Sequence, residues 1–256
     1  MDNDALTTLF NNVIDKMETY TLTQTKPDDL TLQRMKKDVK KVGKINPSLA
    51  AMALGMIASV EGDLEECLKQ HKLSLLLGDD PHLTINYSVS MRTLGYNAES
   101  YRLMDIGMNL IMPNLSLGIG SFIAIAFHAG HYDKVIFCQE LFKKQTVTAI
   151  PPEIQQFIDD VNTIVMTTGL PLSVYPDIAA ILETIRLENH PGLSIATLEK
   201  TDEALVYWAE TIADSETVTV MNTQLAAELA LLDDVNLDNY HIAFRKLNKH
   251  EGSTCH

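Results

Sequence analysis

One short stretch of the chain holds several side chains of the types that bind metal ions. His128, His131 and Asp133 fall within six residues, and Cys138 follows five positions later. Zinc needs four such ligands in a tetrahedral arrangement, with further residues orienting each ligand. Because Gly130 separates the two histidines, the sequence predicts that His128 ends one helix, His131 occupies the turn and Asp133 caps the next helix. We therefore expect no metal site here, nor at His250, Cys255 and His256 in the C-terminal tail.

Adjacent carboxylates are common in the sequence but do not have the geometry of a catalytic pair. A catalytic pair must converge on one pocket, whereas neighbouring acids on a helix point apart. The pairs are Glu65–Glu66, Asp79–Asp80, Asp159–Asp160 and Asp233–Asp234. The chain also lacks the Gly-x-Ser-x-Gly, Gly-Lys-Ser/Thr and His-Glu-x-x-His patterns of common hydrolases and nucleotide-binding proteins. We expect a protein that is not an enzyme and that has neither catalytic residues nor a cofactor.

The composition is that of a folded globular protein with a strongly acidic balance of charge. Of 256 residues, 46% are hydrophobic and 21% are charged, and the formal net charge is -14. That charge repels a phosphate backbone, so we expect no direct nucleic-acid partner. No apolar run reaches the length of a membrane span, and the acidic start lacks the basic residues of a signal peptide. With three scattered cysteines that fit reduced thiols, the sequence predicts a cytoplasmic protein without a membrane partner.

Within this acidic chain, one short segment is rich in lysine. The residues of this basic face are Lys37, Lys40, Lys41 and Lys44, together with Lys36, on a helix predicted over residues 30–42. Such a face could meet an acidic partner or the acidic surface of a second copy. The alternative is a solvated face that relieves repulsion among the many carboxylates, and the sequence favours this alternative.

Helical periodicity recurs at a regular interval along most of the chain. An apolar stripe predicts a first helix over residues 4–20 that docks on the helices after it. From residue 47, prolines recur at intervals of 34, 32 and 38, at Pro47, Pro81, Pro113 and Pro151. Each interval holds two apolar-periodic stretches separated by a glycine turn, at Gly62, Gly95 and Gly130. This pattern predicts consecutive pairs of antiparallel helices.

Two antiparallel helices in about 34 residues resemble the tetratricopeptide repeat. That repeat needs small side chains where its two helices cross, and the first two units supply them. They are Gly55, Cys67 and Ser74 in the first unit, and Ser88, Ser100 and Gly107 in the second. The third unit has Ile123, Val135 and Phe142 instead, which predicts splayed helices. The resemblance covers about residues 46–148 and implies an α-solenoid of helical hairpins, so the predicted fold class is mainly α with a small C-terminal α/β module.

The rest of the chain extends this array and then changes character. Helical stripes at residues 154–165 and 178–185 predict a diverged fourth hairpin or a capping unit. A β-prone run at 193–198, an amphipathic helix at 202–214, a helix at 225–232 and a strand at 240–247 predict the α/β module. Residues 218–220 fit either a strand or a helix start. The predicted domains are 1–188 for the helical array, 189–250 for the module and 251–256 for a tail.

The resemblance also implies a binding surface, because the first helix of each hairpin lines the concave side of such an array. The predicted groove consists of Met52, Met56, Ser59, His82, Asn86, Val89, Arg92, Ser121, Phe127 and His128. It is mostly apolar and holds one arginine, so we expect it to bind an apolar or amphipathic segment of a protein partner. In this prediction Met52, Met56, Val89 and Phe127 form the apolar wall, and Asn86 hydrogen-bonds the bound backbone.

Three alternatives stay open at this stage. The chain could be a chaperone for secreted or effector proteins, since acidic three-repeat proteins resembling it hold apolar segments of exported partners. The C-terminal module could carry a ligand site near His241, Arg245 or Trp208, which would make the chain a regulator or an enzyme. The chain could also form a homo-oligomer with a purely structural role.

Overall fold

A computed structural model describes residues 3–23, 25–111, 119–144, 150–192, 195–201, 204–232 and 235–247. These residues belong to two compact units, divided between positions 115 and 116; unit 1 precedes the division and unit 2 follows it. Within the described residues the fold is mainly α, with consecutive packed helices and a small three-stranded sheet near the C-terminal end. The predicted fold class is confirmed.

The helices of unit 1 form three successive hairpins. They are α1 (Asn3–Thr23) with α2 (Asp29–Val42), α3 (Pro47–Glu61) with α4 (Leu64–Leu77), and α5 (Pro81–Thr93) with α6 (Asn97–Ile111). The described residues of unit 2 form four more α-helices, then two strands, an α-helix and a strand. They are α7 (Ile119–His128), α8 (Tyr132–Lys144), α9 (Pro152–Thr168), α10 (Tyr175–Asn189), β1 (Ile195–Lys200), β2 (Leu205–Thr211), α11 (Ser215–Leu229) and β3 (Tyr240–Lys246).

Helices α3 and α5 begin with the same local signal. Pro47 and Pro81 each stand at the start of their helix, where the missing backbone N–H has no intrahelical partner to lose. The side chains of Asn46 and Asp80 accept hydrogen bonds from backbone N–H groups of the first turn, at 3.1 and 2.9 Å. The recurring prolines therefore mark the first helix of these two hairpins, as the sequence predicts.

The turns that join α3 to α4, α5 to α6 and α7 to α8 repeat in atomic detail. Gly62, Gly95 and Gly130 have φ angles of 83°, 90° and 74°, which glycine adopts without strain. In each case the residue after the glycine donates its N–H to the carbonyl five positions earlier. These bonds are Asp63 to Ala58 at 2.9 Å, Tyr96 to Met91 at 2.9 Å and His131 to Ala126 at 2.8 Å. The same chain reversal therefore recurs at the predicted interval.

Small residues lie where α3 crosses α4 and where α5 crosses α6, as predicted for the first two repeat units. A Cβ on Gly55 of α3 would lie 2.5 Å from Cδ2 of His71 on α4, so only glycine permits this approach. Between α5 and α6, Ser88 and Ser100 each donate a hydroxyl to the other's backbone carbonyl, at 2.7 and 2.8 Å. Ser74 of α4 donates to the carbonyl of Ser48 at 2.8 Å.

The first hairpin packs on the second through a shared apolar core. Val13 and Met17 of α1 and Met35 of α2 are buried in one cluster with Met52 and Met56 of α3. Helix α3 also packs on α5, so helices of unit 1 contact both their immediate neighbour and the next but one. The first helix docks on the helices after it, as predicted.

The C-terminal sheet corrects one predicted element. Its strand order is β1-β2-β3, with β1 antiparallel to β2 and β2 parallel to β3 across α11. Residues 202–214 were expected to form a helix, but residues 205–211 are strand β2. Leu205, Tyr207 and Ala209 alternate toward the buried face, which is the period of a strand. Residues 218–220 lie in helix α11, which settles the alternative left open by the sequence.

The division of the chain differs from the predicted domain boundary after residue 188. Helices α7 to α10 belong to the same compact unit as the strands, because helix α10 packs on α11 and aromatic residues of α7 and α8 lie beside Tyr207 of β2 and Tyr240 of β3. The predicted tail at 251–256 lies outside the described residues.

In the described part of the chain, no single helix is both long and apolar enough to cross a membrane. Two neighbouring segments, Pro152–Thr168 and Leu172–Asn189, are long and apolar enough only when taken together, and the chain bends by 113° between them.

Replacing Gly130 by alanine tests the closest backbone approach in unit 2. A Cβ on Gly130 would overlap the carbonyl oxygen of Tyr175, whereas a Cβ on Gly169 would meet nothing within 4 Å. Both glycines have positive φ, so Gly169→Ala is the matched control and should lower the free energy of unfolding by about 1–2 kcal/mol. We expect Gly130→Ala to cost at least about 3 kcal/mol by urea titration. Equal losses of unfolding free energy in the two variants would contradict the close approach of Gly130 to Tyr175.

His71 gives unit 1 a defined dependence on pH. Its Nε2 lies 2.9 Å from Ser90 Oγ, its ring stacks on Tyr87 at 4.7 Å, and its buried Nδ1 has no partner among the described residues. Burial lowers the pKa of His71 from 6.5 to about 3. The neutral form is therefore the folded form, and this contribution to stability is complete above pH 6.5 and is lost as the pH falls toward 3.

Between pH 6.5 and 5, His71 takes up a proton in the unfolded chain but not in the folded one, so the free energy of unfolding should fall by about 2 kcal/mol. We expect His71→Gln, which keeps a polar group near Ser90, to remove that share of the pH dependence in urea titrations. His82→Gln is the control because His82 is exposed. An unchanged pH dependence in His71→Gln would show that burial does not lower the pKa of this imidazole in the folded protein.

Candidate functional site

The predicted groove residues on α3 lie in the core of unit 1. Met52, Met56 and Ser59 are 4%, 6% and 5% exposed. The two methionines are packed in the cluster that α1 and α2 form with α3, and Ser59 donates its hydroxyl to the carbonyl of Met56 at 2.7 Å. The apolar wall expected there is therefore not an open surface in this structure, because the protein's own helices cover it.

The predicted groove residues on α7 also differ in their exposure. Ser121 is exposed, whereas Phe127 and His128 are 2% and 9% exposed. Phe127 packs against Phe157 at 5.0 Å and against Tyr132 at 5.8 Å, inside the core of unit 2. Phe127 therefore stabilises unit 2 and does not form an apolar wall toward solvent.

Four tyrosines gather around that core. Tyr132, Tyr175, Tyr207 and Tyr240 are all buried, and burial raises the pKa of each above its ordinary value. Tyr132 and Tyr240 share a side-chain hydrogen bond. The cavity among them measures about 10 Å³, close to the space of one water molecule. The cluster is thus a packed core with neutral hydroxyls, too small to admit a substrate.

The predicted groove residues on α5 keep polar groups available. His82 is exposed, and Asn86, Val89 and Arg92 are half-buried. The Nδ2 of Asn86 donates to the carbonyl of His82 at 2.8 Å, which leaves its carbonyl oxygen without a hydrogen bond among the described residues. These four residues follow one another at spacings of four, three and three along a single helix. They form the α5 face.

Arg92 is the unusual member of the α5 face. Its Nε is buried and has no hydrogen-bond acceptor among the described residues. Burial lowers the pKa of Arg92 to about 10, yet the group stays charged at neutral pH. A buried donor without an acceptor lowers the stability of the folded protein by about 1–3 kcal/mol. An anionic or carbonyl group that accepts a hydrogen bond from Arg92 would therefore bind favourably.

The basic face is partly neutralised within unit 1. Lys36 pairs with Glu61 at 2.7 Å, and Lys41 pairs with Asp38 at 2.6 Å. Lys37, Lys40 and Lys44 are exposed, and Lys44 lies in the turn after α2. Two of the five lysines therefore serve ion pairs inside the unit, and the rest are solvated.

The C-terminal sheet carries a network of polar side chains on one face. Arg245 donates to Glu210 and, at 3.0 Å, to Thr197, and its guanidinium lies 4.9 Å from the centre of the Trp208 ring. Trp208 Nε1 donates to Glu199 at 2.8 Å. Each of these groups already has a partner, so the network ties β1, β2 and β3 together and offers little hydrogen-bonding capacity to a ligand.

A cleft of about 150 Å³ lies between α1 and α2. Matching faces of the two helices line it, with apolar and charged side chains mixed. Its residues are Leu9, Asn12, Val13, Lys16, Thr31, Arg34, Met35 and Asp38. Because apolar and charged side chains are mixed, the lining does not favour one chemical class of ligand.

The candidate metal ligands and carboxylate pairs that the structure describes do not converge; His250, Cys255, His256, Asp233 and Asp234 lie outside the described residues. Helix α7 ends at His128, as predicted, and Asp133 lies in the first turn of α8. Cys138 is buried, which raises the pKa of its thiol to about 11. Asp159 and Asp160 accept hydrogen bonds from two different glutamines, at 2.7 and 2.8 Å. Among the described residues, no group of three His, Cys, Asp or Glu side chains could hold a metal ion.

Sequence reasoning missed an apolar surface on α4. Leu73, Leu76 and Leu77 are 40%, 82% and 49% exposed. The signal was available, because helical spacing from the buried Cys67, His71 and Ser74 places these leucines on the outer side of the helix. We name Leu73, Leu76 and Leu77 the leucine stripe.

No known protein family, no curated protein and no solved structure matches the chain.

The buried position of Met56 is testable by truncation. Met56→Ala should lower the free energy of unfolding by about 2–5 kcal/mol, because it leaves a cavity between α3 and the first hairpin. Met166→Ala is the control, since Met166 is 85% exposed and should change stability by less than about 0.5 kcal/mol. Urea titration measures both. A Met56→Ala variant as stable as the control would place this side chain at the surface, as the groove prediction had it.

Proposed function

We propose that this chain is a tetratricopeptide-like interaction protein and that its α5 face binds a segment of a protein partner. Consecutive hairpins, the repeated glycine turn and the small residues at the helix crossings support the likeness to that repeat. The function of the chain is then recognition and not catalysis.

The buried Nε of Arg92, which has no acceptor among the described residues, is the observation that carries this proposal. Leaving a charged donor partly desolvated and unpaired lowers the stability of the folded chain. A carboxylate from a bound segment would supply two acceptors in the fork geometry that a guanidinium fits. Binding energy is available at this position because the cost of desolvation is already present in the free protein.

The neighbours of Arg92 define the rest of the segment. Asn86 lies six residues before Arg92, which is about 9 Å along the helix axis. An extended peptide covers that distance in about three residues. The free carbonyl oxygen of Asn86 would accept a backbone N–H of the segment, and Val89 would contact an apolar side chain between the two polar anchors. We therefore expect a short extended segment with a carboxylate about three residues from a backbone group held by Asn86.

The proposal can be tested with a random peptide library that presents free C-terminal carboxylates. Selection on the immobilised chain should enrich peptides with an acidic residue or a terminal carboxylate at a fixed position. Fluorescence polarisation of one enriched peptide then compares variants. We expect Arg92→Gln to weaken binding by at least about tenfold, since a charge-assisted hydrogen bond contributes about 1.5–3 kcal/mol.

Arg102→Gln is the matched control for this experiment. Arg102 lies on α6, is exposed and pairs with Glu99 at 2.7 Å, so its loss should leave peptide affinity unchanged. Asn86→Ala should weaken binding less than Arg92→Gln does. Enrichment of no peptide, or equal affinity of the wild type and Arg92→Gln, would refute binding at the α5 face.

A further inference from the structure

The leucine stripe on α4 leaves large apolar side chains in water. Leu76 alone is 82% exposed, and Leu73 and Leu77 flank it at helical spacing. The opposite side of α4 carries Cys67, His71 and Ser74, which are fully buried against the rest of unit 1. Soluble monomers rarely expose contiguous apolar groups without an interaction to explain them.

Charged residues flank this stripe in a definite order. Lys69 and Lys72 precede the leucines on the exposed side of the helix, and Asp79 and Asp80 follow them. All four charged residues are exposed. Lys69 is engaged by Glu66 and Asp80 by His82, whereas Lys72 and Asp79 make no hydrogen bond or ion pair within the described residues. Along the chain the order is basic, apolar, acidic.

This order of charges on one α4 helix is complementary to the same order on a second α4 helix that runs in the opposite direction. In an antiparallel pair of α4 helices, the leucines meet in the middle, and the basic end of each helix lies beside the acidic end of the other. With Leu73 of one copy against Leu76 of the other, Lys72 lies within reach of Asp79 on the opposite copy, since a lysine side chain spans the remaining few ångströms. A parallel arrangement would instead place like charges side by side.

We propose that the leucine stripe is a self-association surface, on which α4 of a second copy packs antiparallel across a two-fold axis. A two-fold interface uses the same patch on both chains, which this stripe satisfies. The contact buries one helix face per copy. The surface area buried is therefore smaller than in a standard stable interface, so the dimer is weak and reversible. It is separate from the α5 face and goes beyond the proposed recognition of a partner segment.

Sedimentation equilibrium of the full chain over a wide range of concentration tests this proposal. We expect a reversible monomer–dimer equilibrium for the wild type. Leu76→Asp should raise the dissociation constant by more than about tenfold, because each dimer loses two buried leucines and gains two desolvated carboxylates. Since Leu76 is largely exposed, circular dichroism should show an unchanged fold.

Exchanging the two charges distinguishes specific pairing of α4 helices from non-specific hydrophobic association. Lys72→Glu and Asp79→Lys should each raise the dissociation constant, and the double variant should restore it toward the wild-type value, as the two charges are exchanged across the two-fold axis. Leu231→Asp is the control, because Leu231 is 72% exposed outside the stripe and should have no effect. A monomer at every concentration would overturn the proposal. A dimer that survives Leu76→Asp would also overturn it, since its contact would lie elsewhere.

Discussion

The close approach of α3 to α4 and of α5 to α6 is the constraint on which the structure of unit 1 depends. Gly55 admits the His71 ring at a distance that no Cβ would allow, and Ser88 and Ser100 exchange hydroxyl hydrogen bonds with each other's backbone. Because these crossings fix the rotation of α3, α4, α5 and α6 about their axes, they decide which side chains of these helices face the next hairpin and which face solvent.

This rotation has opposite consequences for α3 and α5. Helix α3 is apolar on nearly all sides, with Glu61 as its one charged residue, and its remaining faces are covered by α1, α2 and α5. Helix α5 instead carries His82, Asn86 and Arg92 on its outward side. Among the described residues, the carbonyl oxygen of Asn86 and the Nε of Arg92 have no hydrogen-bond partner. The candidate site therefore depends on α5, and α3 serves as the core that supports it.

Much of the fold was predictable because it rests on local chemistry. Glycine at a left-handed turn, proline at a helix start and small residues at a crossing act within a few positions of the chain, so the sequence shows them directly. Strand β2 was wrongly predicted, since Leu205, Trp208 and Ala209 satisfy helical spacing while Leu205, Tyr207 and Ala209 satisfy strand spacing. Only pairing with β1 and β3 decides between the two periods, and that pairing is not local.

The candidate site was less predictable than the fold. Met52, Met56 and Phe127 were placed in a groove through the resemblance, although a helix that is apolar all round is normally buried. The missing information was the packing of α1 and α2 on α3, which no spacing within α3 reveals. By contrast, Asn86 stays half-buried because its polarity opposes full burial.

Hydrogen–deuterium exchange with and without a selected peptide tests the central claim most directly. If the α5 face binds a partner segment, protection should increase in residues 81–93 and remain unchanged in residues 47–61. Increased protection confined to residues 47–61, or to the strands of unit 2, would contradict the account.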